Sequence, residues 1–231
     1  VSNQKAFDLM KEGMLPPETS NPKNNEHYDM IDAQLTTEIF GLFAPTRPDF
    51  ALKMSFIPIR TTAQKDAAWI SEFYVIMHSL ASSLDEKQDK KTQINWLASE
   101  ARKRLPTDSY ASKMYDYVKS KYESNITWEQ TRDSIYKNLY CNGCFAAGIN
   151  YAASLVSLFY GEGDFKETIK IGTLCGWDSD NPTATWGGLL GFMYGKEKIE
   201  ALFPVQLSNK FNIHRTRQGF KYNGLDTFEE M

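Results

Sequence analysis

The chain has 231 residues, 42% of them hydrophobic and 24% charged, with a formal net charge of −3 at neutral pH. That is the make-up of an ordinary soluble globular protein with room for one sizeable core, in one or two domains. It supplies no basic field for nucleic acid or an anionic membrane, and no apolar run approaches the length of a spanning helix.

Residues 1–28 read as an irregular N-terminal segment beyond a short initial helix, because Leu15 to Asn25 is rich in turn and breaker residues. The first residue is Val1 and no signal peptide is visible, which fits a processed or incomplete segment. A helix is predicted from Tyr28 to Ala44, where Ile31, Leu35, Ile39 and Phe43 recur every four residues and Pro45 and Pro48 stop it. Asp29, Asp32 and Thr36 share a polar side of that helix. From the residues alone this side is either a solvated acidic first turn or part of a cleft. Asp49 to Met54 forms a short helix on this reading, and Pro58 interrupts the next stretch.

Asp66 to Leu84 carries a helical stripe of Ala67, Ile70, Tyr74, Met77 and Ala81. His78 has no carboxylate at obvious spacing and reads as a satisfied helix histidine. After a mixed-charge connection, Asp85 to Lys91, helices are predicted over Thr92–Arg104 and Ser109–Tyr122, and another is capped by Thr127. The aromatics Tyr110, Tyr115, Tyr117, Tyr122, Trp128 and Tyr136 are assigned mostly to core packing, with stacking on an adenine or ribose as the minority reading.

Three cysteines, an odd number, argue against a disulfide framework. Cys141-Asn142-Gly143-Cys144 has the C-x-x-C form, but Cys175 and three scattered histidines supply no recognisable zinc set. The motif opens an apolar helix rather than following a strand. The thiols therefore read as structural, and a reducing, cytoplasmic compartment is expected. Gly143 to Tyr160 is apolar or small all round and so belongs at the centre. Gly161 ends it, and Asp164 with Glu167 makes a capping-box-like start for the next helix.

That helix leads into Gly176-Trp177-Asp178-Ser179-Asp180-Asn181-Pro182-Thr183. Two carboxylates stand two residues apart in a glycine-flanked turn, with Asn181 expected as an N-cap and Pro182 as the first helical residue. Either the aspartates satisfy backbone donors at a helix start, or they hold a hard divalent cation such as Mg²⁺. Gly187, Gly191 and Gly195 lie four apart, which predicts close packing against another helix backbone. Lys196 to Phe203 is a short amphipathic helix ended by Pro204, and 205–231 reads as an irregular C-terminal tail packing on the domain. No convincing strand alternation appears, so the expectation is an all-α fold with one helical domain over 29–204.

The run from Gly176 to Gly195 closely resembles the C-terminal metal motif of the ADP-ribosylglycohydrolase family (the ADP-ribosylation/crystallin J1 family), G-[GWY]-D-x-D-[TNC] leading into a small-residue helix. Two other stretches resemble the same family: His27 to Gln34 with Thr37 to Leu42, and Leu158 to Phe165 running on to Thr168-Ile169. The resemblance implies a compact multi-helix hydrolase that cleaves a bond from the anomeric carbon of ADP-ribose to a protein side chain or small molecule. It implies two Mg²⁺ ions in a complete site, with Asp178, Asp180 and Asn181 as metal ligands. Asn181 stands where many members have Thr. Asp178, Asp180 and Asp32 are the implied catalytic residues, and Asp29, Trp177, Ser179 and Asn142 the implied substrate-binding ones.

Family members also carry an N-terminal G-D-x-x-G segment with a glutamate and a Thr-Asp-Asp metal motif, and neither is found here. The chain reads as the C-terminal two-thirds of such a protein, apparently without its N-terminal helices. Three explanations stand: truncation, a partner chain carrying the N-terminal half, or a lineage that lost half the site. The last would leave a catalytically inactive relative serving as a nucleotide-binding or structural subunit. The expected partner is ADP-ribose or an ADP-ribosylated protein or small molecule; neither nucleic acid nor membrane is expected.

Overall fold

In a computed structural model, helix α9 (Ala147–Gly161) is buried on almost every side by the helices packed against it. The structure describes residues 1–85, 87–139, 143, 145–204, 206–212 and 225–229. In chain order the elements are α1 (Ser2–Lys11), α2 (Asp32–Thr37), α3 (Ile39–Phe43), α4 (Pro48–Thr62), α5 (Lys65–Leu80) and α6 (Lys90–Arg102). There follow α7 (Tyr110–Glu123), α8 (Trp128–Leu139), α9, α10 (Phe165–Cys175), α11 (Asp180–Tyr194) and α12 (Lys196–Glu200). The fold is all-α. The chain divides into two compact units, Val1–Met193 and Tyr194–Met231. No helix among the described residues is long and apolar enough to cross a membrane.

Helix α9 touches α5, α6, α7, α8 and α10. Its apolar character on all sides is thus matched by neighbours on all sides. The core is aromatic where α5, α7, α9 and α11 meet. Phe73 and Tyr151 rings lie 5.2 Å apart, Tyr74 and Trp186 5.3 Å, and Tyr115 and Phe159 5.5 Å. Trp186 is fully buried, and its indole N–H donates to the Ser154 carbonyl at 2.9 Å. Such pairs contribute about 0.5–1.5 kcal/mol each beyond the area they bury.

The start of α9 is pinned to the segment before α2. Met30 and Ala146 form an antiparallel bridge, Ile31 N donates to Phe145 O at 3.1 Å, and Ala147 N donates to Asp29 O at 2.8 Å. At its other end α9 turns tightly into α10 through Glu162 and Gly163, both at positive φ. The Asp164 carboxylate accepts the Glu167 N–H at 2.8 Å, the cap its sequence implies.

Several local expectations are corrected. The predicted helix over 28–44 breaks at Glu38 into α2 and α3, and Ile31 alone of the apolar series is buried. Leu35, Ile39 and Phe43 are 49%, 44% and 59% exposed, and the inward face is instead Ala33, Gln34, Thr37, Gly41 and Ala44. The polar members can be buried because they are hydrogen-bonded, Thr37 to Ala33 O at 2.8 Å and Gln34 to Glu38 and Thr185. Pro58 does not interrupt α4. The carbonyl it orphans, at half-exposed Met54, can turn to water, while the Ala51, Ser55, Ile59 and Thr62 stripe keeps the helix on its neighbours. The glycine series of α11 meets no helix backbone. A Cβ at Gly187 would reach only the Ile169 side chain, at Gly191 nothing, and Gly195 lies past the helix at φ +81°.

In the second unit, β1 (Lys210–Asn212) pairs antiparallel with β2 (Leu225–Thr227), Phe211 opposite Asp226, so the described part of the tail contains a short ladder. The Phe211 and Phe228 rings lie 4.9 Å apart, and Asn209 donates to the Glu229 carboxylate at 2.9 Å.

Gly41 is where α3 meets α5 most closely: a Cβ there would fall on the Val75 carbonyl oxygen, 2.6 Å from His78 Cβ and 2.8 Å from Ser79 N. Backbone cannot yield as a flexible side chain can. Gly41→Ala is therefore expected to cost about 1–3 kcal/mol or more in urea unfolding. A midpoint equal to that of the unaltered chain would mean that α3 can retreat from α5.

Candidate active site

The turn between α10 and α11 is built from two consecutive left-handed residues. Gly176 ends α10 at φ +86°, and Trp177 follows at φ +58°, a conformation costing a side-chain-bearing residue roughly 1–2 kcal/mol. Arg132 of α8 holds the corner. Its Nε–H donates to the Cys175 carbonyl at 2.8 Å, satisfying a C-terminal carbonyl of α10, and its guanidinium lies 4.6 Å over the Trp177 ring. The Tyr136 ring lies 6.4 Å from the other member of that stack, Trp177.

From the inner side the turn is held by Asn150, the polar residue one turn into apolar α9. Its side-chain oxygen accepts the Asp178 N–H at 3.1 Å, and its amide donates to Ala146 O at 3.0 Å. Asn150 is 3% exposed, so both bonds form away from water. The acidic turn is thereby fixed to the same end of α9 that holds Asp29 and Ile31.

Asp178 lies in the turn and Asp180 at the first residue of α11. Partial burial, then the Asp180 charge and hydrogen bond, then the charge of Asp32 hold the Asp178 carboxyl above the usual carboxylate value. Asp32, at the start of α2, therefore stands near enough for its charge to be felt in the turn. Its own oxygens are engaged, Oδ2 by the Ser2 hydroxyl at 2.5 Å and Oδ1 by the Asn3 amide at 2.8 Å. Among the described residues no group of three or more His, Cys, Asp or Glu side chains is spaced to hold a metal. Asp178 and Asp180 are a hard-oxygen pair with no ion pair among the described residues, which suits Mg²⁺, an ion bound through one or two carboxylates and otherwise through water.

Asn181 does not cap α11. The helix begins one residue earlier, at Asp180, and Asn181 N–H donates to Asp178 O at 3.0 Å. Its side chain is drawn inward instead, donating to the Gln34 carbonyl oxygen at 2.7 Å. Ser179 is half-buried in the same turn, its carbonyl accepting the Thr183 hydroxyl at 3.2 Å.

Asp29 is exposed, on the rim of a cavity of about 190 Å³ walled by Tyr28, Lys65, Tyr110, Ala147 and Gly148. The Lys65 ammonium is 5.3 Å over the Tyr28 ring there. Asn142 lies outside the described residues, as do Cys141 and Cys144. Cys175 is buried and its thiol is pushed up to about 12 by burial, so it is no nucleophile at neutral pH.

The ADP-ribosylglycohydrolase family model matches residues 1–218. The chain belongs to the ADP-ribosylglycohydrolase family. No curated protein and no solved structure gives a significant match. Within the matched range, one turn gathers Trp177, Asp178, Ser179, Asp180 and Asn181, and Asp178 feels the charge of Asp32. Sequence reasoning missed Gln34, Glu38, Arg132, Asn150 and Thr185. A lone Asn in an otherwise apolar helix was the available signal for Asn150. For Gln34–Glu38 and Asn181–Thr185 it was the i, i+4 pairing of polar residues inside the two motifs.

The raised Asp178 carboxyl gives a signed expectation. A group that binds its proton more tightly when folded stabilises fully below the unfolded value of about 3.9, and that contribution is lost as pH rises through the folded value. At neutral pH the ionised side chain is a net cost. Asp178→Asn should therefore raise the Tm at pH 7 in EDTA, and the gain should shrink as the pH falls toward 4. A metal-free Tm below the unaltered chain's at pH 7 would contradict this account of the turn.

Proposed function

We propose that the chain is a Mg²⁺-dependent glycosidic hydrolase that releases ADP-ribose from an ADP-ribosylated protein or small molecule. Family membership supports the hydrolase class. What supports the finer reading is the Asp178 carboxyl, held above its usual value by partial burial and then by the charges of Asp180 and Asp32, a condition that a divalent cation would relieve. Asp178, Asp180 and the Asn181 amide oxygen would hold the ion. Mg²⁺ there would act as a Lewis acid on ribose oxygens and orient a water.

The chain's own groups have distinct parts in this reading. Trp177, fixed by Arg132, walls the cleft on one side of the scissile bond. Asp32, freed of its Ser2 and Asn3 partners, would accept a proton from the attacking water at a carboxylate oxygen. The cavity beside Asp29, on the first turn of α9, offers aromatic and charged groups to a substrate portion away from that bond.

One observation favours a second reading, an inactive relative that binds the nucleotide without turnover: both Asp32 oxygens already have hydrogen-bond partners. Calorimetry with Mg²⁺ and ADP-ribose, paired with a release assay on an ADP-ribosylated protein, separates the two. On the first reading, Asp180→Asn lowers both Mg²⁺ affinity and release, by at least the roughly 10–100-fold that lost outer partners cost at metal sites. Tight ADP-ribose binding with no release would establish the second. Mg²⁺ binding unchanged in Asp178→Ala/Asp180→Ala would remove the metal from the turn altogether.

A further inference from the structure

Behind the acidic turn lies a buried chain of polar side chains, of which Asn181 alone has a part in the function proposed above. Glu38, between α2 and α3, accepts at one oxygen from the Gln34 amide at 2.5 Å and from the Thr185 hydroxyl at 2.7 Å. Gln34 in turn accepts the Asn181 amide N–H at its Oε1, at 2.7 Å. Gln34, Asn181 and Thr185 are 3%, 5% and 4% exposed, and the Glu38 side chain is 19% exposed. On its far side Glu38 faces buried His78, whose Nε2 is 3.9 Å from the second carboxylate oxygen. The His78 Nδ1–H donates to the Tyr74 carbonyl at 2.8 Å, since a carbonyl can only accept.

The direction of this chain is not arbitrary. Gln and Asn amides have two faces, and either can point either way unless a neighbour decides. A carboxylate has lone pairs only. Gln34 must therefore turn its NH₂ to Glu38, which leaves its oxygen toward Asn181. Asn181 must then turn its own NH₂ to Gln34, which leaves its Oδ1 as the other end. The Thr185 hydroxyl is 3.3 Å from that Oδ1, but its single hydrogen is taken by Glu38 at 2.7 Å. Asn181 Oδ1 thus keeps its lone pairs.

We infer that Glu38 is a positioning residue: through Gln34 it fixes which face of the Asn181 amide is left over, so that the free end is a carbonyl oxygen able to serve a cation and not an NH₂ that would repel one. The orientation rests on the hydrogen bonds alone; its consequence for Mg²⁺ rests on the function proposed above. The inference also supplies a physical reason why an Asn works at a position where a hydroxyl needs no such orientation. A Thr hydroxyl offers lone pairs however it rotates, whereas an Asn needs a neighbour that dictates its face.

The test uses Glu38→Gln, which keeps the shape but makes the first group two-faced, and Asn181→Thr, which removes the orientation problem. In the metal-free protein, the Asn181 side-chain amide proton given to Gln34 is expected to exchange slowly in ¹H–¹⁵N spectra, assigned by its loss in Asn181→Thr. Glu38→Gln should speed that exchange about tenfold or more. By calorimetry Glu38→Gln should weaken Mg²⁺ about tenfold. It should do nothing further when added to Asn181→Thr, the non-additivity that marks a relay through residue 181. Gln34→Met breaks the chain while leaving Glu38 bonded to Thr185, and should repeat both effects if Glu38→Gln does not fold. Unchanged Asn181 exchange in the folded variant, or an equal loss of Mg²⁺ affinity in both backgrounds, would overturn the inference. If the unaltered chain binds no Mg²⁺ through Asp178 and Asp180, the metal reading fails and the exchange data alone decide the relay.

Discussion

A polar group buried between helices without a partner costs about 1–3 kcal/mol, and that cost shapes this molecule more than any one apolar contact. Asn150 lies inside the most apolar helix, and Gln34, Asn181 and Thr185 lie between α2 and α11. Each is tolerated because another element completes it. Asn150 is completed by the backbone of the acidic turn and by Ala146, and Gln34 by Glu38 and Asn181. The partners are far apart in sequence, so the bonds form only when α2, α9 and α11 are all in place. The acidic turn is therefore not a loop resting on a scaffold. Its geometry and the packing of three helices are one cooperative unit.

Against this rigid back stands an electrostatically unfavourable front. Asp178 is partly buried and feels the charges of Asp180 and, from another segment, Asp32, and it bears the penalty in its raised affinity for a proton. Trp177 adds backbone strain at the same corner, offset by its stack with Arg132. Strain and like charge of this kind are retained where a site needs them, and the neighbouring core of Tyr74, Tyr151 and Trp186 supplies stability that the turn does not.

The sequence is informative about this fold in proportion to how local each signal is. The caps at Thr127 and Asp164 bond backbone N–H groups three residues on, and the central place of α9 follows from its all-round apolar composition. The acidic turn is legible through the family motif. What failed was inference that needed to know which face points inward. Leu35, Ile39 and Phe43 repeat every four residues and are exposed, while Gln34 and Thr37 are buried, because hydrogen bonds from Glu38, Thr185 and the helix backbone outweigh side-chain polarity. Asn181 looked like a cap from its neighbours Asp180 and Pro182. The partner that draws it inward, Gln34, lies 147 positions away and leaves no trace in the local pattern.

Leu35, Ile39 and Phe43 are exposed, and so are Phe50, Phe56 and Ile57 on α4, a helix that touches both α2 and α3. Apolar surface left in water makes a protein sensitive to anything that changes the cost of wetting it. Ammonium sulfate raises that cost and low concentrations of urea reduce it. Colloidal behaviour of this chain will accordingly follow the lyotropic series rather than its modest net charge of −3. Chloride or mild chaotropes will keep it in solution at concentrations where sulfate brings it down fully folded.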